Sequence, residues 1–224
     1  MTRMIVNMDR RLFLGGVGAS LFWSRAAHAS ILAPPGNRLA FTVLREGKEI
    51  GTHLLTFARN GEAWTIQVAI DLLIRLGPVP LFRYEHRATE IWNGASFASI
   101  EAQTNDDGAR TTLRAQRGPD AVLVESSQQG EYEAPANALP STHWNRRMLD
   151  GPFINTQTGQ LMKSSVSPRG AGVVETASGR SVSVRRYEIA GPPILETWYD
   201  ERLTWAGLQF KARDGSQIIY KRQD

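Results

Sequence analysis

The stretch Trp64-Thr65-Ile66-Gln67-Val68-Ala69-Ile70-Asp71-Leu72-Leu73-Ile74-Arg75 decides the fold. Trp64, Ile66, Val68, Ile70, Leu72 and Ile74 fall at every second position, with Thr65, Gln67, Asp71 and Arg75 between them. A hydrophobic period of two, not 3.6, marks a strand with one buried face. Turn signals bound it on both sides, Arg59-Asn60-Gly61-Glu62 before and Gly77-Pro78-Val79-Pro80 after. Similar punctuation recurs at Asn93-Gly94, Asp106-Asp107-Gly108, Gly118-Pro119-Asp120, Ser178-Gly179, Gly191-Pro192-Pro193 and Asp214-Gly215. Asn-Gly and Asp-Gly supply the positive φ of tight hairpins, so strands that follow one another should pair antiparallel.

The pattern predicts strands at about 38–46, 49–59, 62–75, 80–92, 96–105, 109–117, 121–127, 153–157, 160–167, 172–176, 181–190, 194–200, 204–212 and 216–222. Only 136–150 interrupts them, where Ser141 or Thr142 is placed to cap a short helix carrying Trp144, Met148 and Leu149. So many strands in sequence must hide their edges by curling. The expected fold is mainly β: a single curved antiparallel sheet or open β-barrel over residues 38–224, with one short helical or loop insertion near 136–150.

Ahead of the strands, Arg10-Arg11 precedes an apolar run from Leu12 to Trp23, and Ala27-His28-Ala29 offers small residues at the positions a signal peptidase reads. The glycines at 15, 16 and 18 keep that run only mildly hydrophobic, which suits a twin-arginine exporter of folded proteins. Residues 1–29 are therefore expected to be a signal peptide cleaved between Ala29 and Ser30, with Met1, Met4 or Met8 as the start. A general secretory signal and a retained anchor are the alternatives. Residues 30–37 read as a Pro/Gly linker. The mature protein is expected in the periplasm, with the twin-arginine machinery and signal peptidase as partners and no span through the membrane.

Charge supports this division. Arg3, Arg10, Arg11 and Arg25 against Asp9 carry three of the formal net charge of +4, so the remaining chain is nearly neutral and keeps no basic stripe for nucleic acid. Cysteine is absent, which removes disulfides, thiolate metal sites and a cysteine nucleophile.

Five short stretches stand in order along the chain: Ile50-Gly51-Thr52-His53; Leu81-Phe82-Arg83-Tyr84-Glu85-His86-Arg87 with Glu90 and Trp92; Leu139-Pro140-Ser141-Thr142-His143-Trp144-Asn145; Asn155-Thr156-Gln157-Thr158-Gly159; and Trp198-Tyr199-Asp200. Together they resemble an uncharacterised family of exported bacterial proteins, a domain of unknown function. The layout is also similar to other exported domains of unknown function that form curved antiparallel sheets in the manner of lipocalins or lipoprotein carriers. The resemblance implies a fold and a compartment; no reaction or catalytic residue comes with it.

The segment with most chemistry is Phe82 to Trp92, where alternation puts Phe82, Tyr84, His86, Ala88, Glu90 and Trp92 on one face. An aromatic wall with a histidine and a glutamate is what a ligand pocket needs, apolar area plus a few orienting polar groups. The competing reading is a structural polar cluster with Glu90 paired to an arginine of a neighbouring strand. His86 and Glu90 stand four residues apart, about 13 Å along a strand, too far for an acid–base pair. His53 and His143 complete the histidines after the signal, but no ligand spacing points to a metal. His143 and Trp144 lie in the insertion, either as a lid over an open end or as a packing plug. Asp106-Asp107-Gly108 reads as a turn, and Trp198-Tyr199 splits its aromatics between two faces. No nucleophile elbow, phosphate loop or dinucleotide fingerprint is present, so no cofactor is implied.

The expected function is binding of an apolar or amphipathic molecule such as a lipid inside the curl, lined by Trp64, Ile66, Val68, Ile70, Leu72, Phe82, Tyr84, His86, Glu90 and Trp92, with His143 and Trp144 at the end. The alternatives are an envelope scaffold that docks a partner through a sheet edge or through Trp144, and a hydrolase or isomerase using His86 or His143. The last requires an imidazole within reach of a carboxylate.

Overall fold

The computed structural model describes residues 31, 33–163 and 165–224. The signal residues Arg10 and Arg11 and the cleavage pair Ala29 and Ser30 lie outside the described residues. Of the linker, Pro35–Asn37 forms a single 3-10 turn and Ile31 is buried in the core.

The strands are β1 (Arg38–Arg45), β2 (Lys48–Asn60), β3 (Ala63–Leu76), β4 (Val79–Asn93), β5 (Ser96–Asp106), β6 (Ala109–Arg117), β7 (Ala121–Ser126) and β8 (Gly130–Pro135). After them come the short β9 (Leu139–Pro140), β10 (Phe153–Ile154) and β11 (Leu161–Met162), then β12 (Val166–Glu175), β13 (Ser181–Ile189), β14 (Leu195–Asp200), β15 (Trp205–Lys211) and β16 (Gln217–Arg222). Thirteen of them form one antiparallel sheet in the order β12-β13-β14-β15-β16-β1-β2-β3-β4-β5-β6-β7-β8. Every step is a hairpin neighbour except one, where β16 at the end of the chain pairs with β1 at its beginning. The sheet is not closed: β8 and β12 are its free edges. The chain between them carries the second sheet, β11-β10-β9.

This insertion bridges the seam. On one side the Ser126 hydroxyl donates to the Thr158 carbonyl at 2.9 Å, and the Tyr132 hydroxyl donates to the Gly159 carbonyl. On the other, the Tyr199 hydroxyl donates to the His143 carbonyl at 2.8 Å. Gly159 has φ of 75°, and a Cβ there would lie 2.3 Å from that of Ser126, so only glycine lets the insertion sit this close to β7. Leu139, Trp144, Met148, Leu149, Phe153 and Ile154 are all buried, and they fill one part of the space inside the curl.

Three local expectations are corrected. The helix expected in 136–150 is a single 3-10 turn, Arg146–Asp150, capped by Asn145, whose side chain accepts from the Arg147 N–H at 3.1 Å, not by Ser141 or Thr142. Thr142 is instead buried, where its side chain bonds Glu90. The strand expected at 153–157 shrinks to Phe153–Ile154, because Asn155 to Gly159 turns on itself, with the Asn155 Oδ1 accepting from the Gln157 N–H at 2.9 Å; the one expected at 160–167 divides into β11 and the start of β12, which runs on through the strand expected separately at 172–176. Finally, β8 carries Glu131, Glu133 and Pro135, residue types that blunt an exposed edge, and its charge hid it from a search for apolar alternation.

Alternate residues of the long strands cross the sheet in inward rows. One runs Phe57, Ile66, Glu90, Ile100, Ala115, Val124 from β2 to β7. The next but one runs Phe41, His53, Ile70, His86, Thr104 from β1 to β5. Period-two geometry thus puts one polar residue into an apolar row, then two imidazoles into another.

Candidate functional site

The first row is packed solid around Glu90. Glu90 is fully buried, and its carboxylate accepts from the indole N–H of Trp92 at 2.6 Å and of Trp144 at 3.2 Å. The Trp144 ring packs edge-on against Phe57 and Trp92, with centroids 5.3 and 5.2 Å away. The arginine expected beside Glu90 is not there; two indoles and Thr142 take its place. Without a cation, burial pushes the carboxyl up to about 7, against the opposing pull of the Thr142, Trp92 and Trp144 hydrogen bonds. Trp144 therefore anchors the insertion to β4, and its burial removes it as a surface for docking a partner.

The second row borders a cavity of about 260 Å³. His53 from β2, Val68 and Ile70 from β3, His86 from β4 and His143 from the insertion line it. Leu208, Phe210 and Tyr220 from β15 and β16 also line it, as do Phe153 and Met162 of the insertion. Gly191, Pro192 and Pro193, in the β13–β14 connection, lie at its margin. Trp205 forms the hub: its ring stacks on His143 at 5.3 Å, meets the edge of His53 at 5.3 Å, and is fixed by its N–H donating to the Gly207 carbonyl at 2.9 Å.

The polar atoms here are under-satisfied. His86 uses Nδ1 against the Thr104 hydroxyl at 2.9 Å, but its Nε2, both ring nitrogens of His53, the His143 Nδ1 and the Tyr84 hydroxyl are buried without a hydrogen-bond partner. All three imidazoles are held neutral near pH 7. Burial, then the neighbouring Arg87, pushes His86 down to about 4, and burial pushes His143 down to about 4. His53 is held well below the ordinary range by burial first and by the fields of His86 and His143 after it. Burial likewise raises the Tyr84 hydroxyl well above its usual value.

Among the described residues no carboxylate bonds or pairs with any of these imidazoles, so the acid–base arrangement that a hydrolase or isomerase would need is not assembled. Nor, among the described residues, is any group of three His, Asp or Glu side chains placed to hold a metal ion. A larger concavity of about 920 Å³ lies along the outer face of β2 to β8. Its charged lining residues pair across strands, Arg87 with the nearby Asp71 at 2.6 Å and Arg114 with Glu101 at 3.1 Å. With no buried, unpartnered group, that face carries weaker chemistry than the smaller interior space.

Of the twelve residues expected to line a pocket, Val68, Ile70, His86 and His143 border the cavity. Trp64, Ile66, Glu90, Trp92 and Trp144 are buried but do not line it, Leu72 and Phe82 are half-buried beyond the histidine row, and Tyr84 is buried next to that row. Sequence reasoning missed His53 as a lining residue, and with it Trp205, Leu208, Phe210 and Tyr220. His53 alternates in β2 with Leu55 and Phe57, and that local signal was available; the other four depend on β15 and β16 being carried round to β1.

A family model described as Domain of unknown function (DUF6134) matches residues 41–223, and the chain belongs to that family. No curated protein matches it. Among solved structures it is similar to a beta-barrel-like protein of Domain of Unknown Function DUF1849 from Brucella abortus, with a TM-score of 0.57 at 8% identity, covering 84% of this chain and 95% of that one. That likeness concerns the fold alone.

Proposed function

We propose that this member of the DUF6134 family is an exported envelope protein that holds a small amphipathic molecule inside its curled sheet. The observation that carries the reading is the set of unpartnered buried polar atoms on His53, His86 and His143 around one interior space, with the unpartnered Tyr84 hydroxyl buried beside that row. An orphaned buried group costs roughly 1–3 kcal/mol, and a whole domain is stable by only about 5–15 kcal/mol. Several such groups on one cavity are hard to carry unless something in it bonds them. Neutral imidazoles suit an uncharged head, a hydroxyl or an amide, while Val68, Ile70, Leu208 and Phe210 suit an apolar remainder.

Size narrows the class. At roughly 30 Å³ per water-sized group, the cavity holds on the order of nine of them. A two-chain lipid does not fit. A short amphiphile does, or one end of a longer molecule leaving past Gly191 to Pro193. The export half of the reading rests on Arg10-Arg11, the mild apolar run and Ala27-His28-Ala29.

Native mass spectrometry of protein recovered from its own cells tests both halves. The expected result is a chain beginning at Ser30 with a bound species of low mass that is lost in a His53→Leu, His86→Leu double variant. A chain carrying water alone, with no rise in melting temperature on adding medium-chain alcohols or amides, would overturn the ligand reading. Retention of the protein in the cytoplasm would overturn the export reading.

A further inference from the structure

The β3–β4 hairpin is the longest in the sheet and outruns its supports. The β2–β3 ladder ends at Gly51 opposite Leu72, and the β4–β5 ladder ends at Tyr84 opposite Asp106. Leu73 to Phe82 therefore stand clear as a two-stranded ribbon, and Arg83 at its base is tied to the β5–β6 turn, its carbonyl accepting from the Asp107 N–H at 2.8 Å and its N–H donating to the Asp107 carboxylate at 3.3 Å. The crown of that ribbon is apolar and bare: Leu76 is 70% exposed, Val79 55% and Leu81 56%. Three of the seven exposed large hydrophobics among the described residues thus fall within six positions of sequence.

Charge and position sharpen this. No acidic residue occurs between Asp71 and Glu85, and Arg75 and Arg83 flank the crown. Arg83 pairs with Glu85 at the ribbon's base at 2.8 Å, while Arg75 has no acidic partner among the described residues and reaches the Pro78 carbonyl at 3.4 Å. The antiparallel registers place this hairpin at the same end of the sheet as the β1–β2 turn, the β15–β16 turn and the β13–β14 connection. That connection holds Gly191, Pro192 and Pro193 at the margin of the cavity, and Ile194 beside them is 62% exposed.

Above the half-buried Ile74 and Phe82 the crown from residue 75 to 81 is exposed on both strands, so it calls for a medium that surrounds it and not for a partner that lies against one side. An apolar crown above an arginine collar matches the interface of a bilayer, with acyl chains around the crown and guanidinium groups at the phosphates. We propose that the Leu76–Leu81 tip is a membrane-surface anchor that seats this end of the curled sheet on an anionic bilayer. The inference does not depend on what the cavity holds.

Sedimentation with vesicles tests it, using protein recovered from its own cells and phosphatidylcholine with or without about 30% phosphatidylglycerol. The full-length hairpin should bind the anionic vesicles more strongly, and less so as salt is raised. Leu76→Ser, Val79→Ser and Leu81→Ser together should lower binding at least tenfold with an unchanged melting temperature, since all three side chains are exposed. Arg75→Gln with Arg83→Gln should remove the preference for the anionic lipid. Failure of the unaltered protein to sediment with either vesicle, or equal binding by the triple variant, would overturn the anchor. So would a concentration-dependent dimer in light scattering that the triple variant abolishes while vesicle binding stays the same, because the tip would then dock a second copy.

Discussion

Replacing Glu90 by glutamine should change the pH dependence of stability in a way set by the packing around it. Glu90 is fully buried, has no cation beside it, and is raised from the ordinary 4.5 to about 7, chiefly by burial. Below 4.5 the carboxyl is neutral in both folded and unfolded chains. Between 4.5 and 7 the unfolded chain ionises first, so stability drains away as pH rises and the loss is complete above the folded value. A displacement of that size is worth about 3 kcal/mol. Glutamine mimics the neutral acid, with its carbonyl toward the indoles of Trp92 and Trp144 and its NH₂ toward Thr142, and it does not ionise. The two variants should lie closest at pH 5, and glutamine should gain relative to glutamate up to pH 8 by most of that amount, roughly 6–12 °C in melting temperature for a domain of this size. Thermal unfolding followed by circular dichroism over that range is the assay. The buried histidines titrate in the opposite sense, but they are common to both proteins and cancel in the difference. A difference that stays flat from pH 5 to 8 would refute the reasoning, since Glu90 would then be ionised at little cost throughout.

Trp144→Phe keeps an aromatic ring but removes the N–H on Glu90 and some packing, so beyond a packing loss that is the same at every pH it should cost about 1–3 kcal/mol more at pH 8, where the carboxylate needs its donors, and less at pH 5, in chemical denaturation. Gly159→Ala forces a Cβ against Ser126 at a positive φ; it should destabilise by about 1–3 kcal/mol and speed proteolytic cutting within 139–162. His53→Leu removes two orphaned nitrogens and should raise the melting temperature in the absence of ligand. Because the folded imidazole is held below its ordinary 6.5, its stabilisation is whole above that pH and lost as pH falls, so the leucine variant should also resist acid better.

The alternation from Trp64 to Ile74 and the turn residues around it carry the architecture, because a half-buried strand writes its period directly into the chain. Where an element is not half-buried, the signal fades: β8 is an acidic edge, and β9 to β11 are short pieces of a plug buried on several sides. The candidate site shows the same division. His86, Glu90 and Trp92 share a face by local geometry, and that much was legible. Their fates diverge because Trp144 arrives from more than fifty residues away to bond Glu90, whereas His86 meets only Thr104 and the cavity. Burial of an indole against one carboxylate, and not of an arginine, is decided by where the insertion lands. No residue near Glu90 announces it.

One ladder differs in kind from the rest of the large sheet. Phe41 faces Arg222 across β1 and β16, while every other seam in that sheet joins strands adjacent in sequence. The two meanders, β1 to β8 and β12 to β16, can each zip up as they leave the ribosome, but the zipper between them waits for the last residues of the chain. β16 must be made before the wall that carries His53 meets the wall that carries Trp205, so a chain stalled or trimmed before Gln217 would expose the edge of β1 and leave the histidine row facing water.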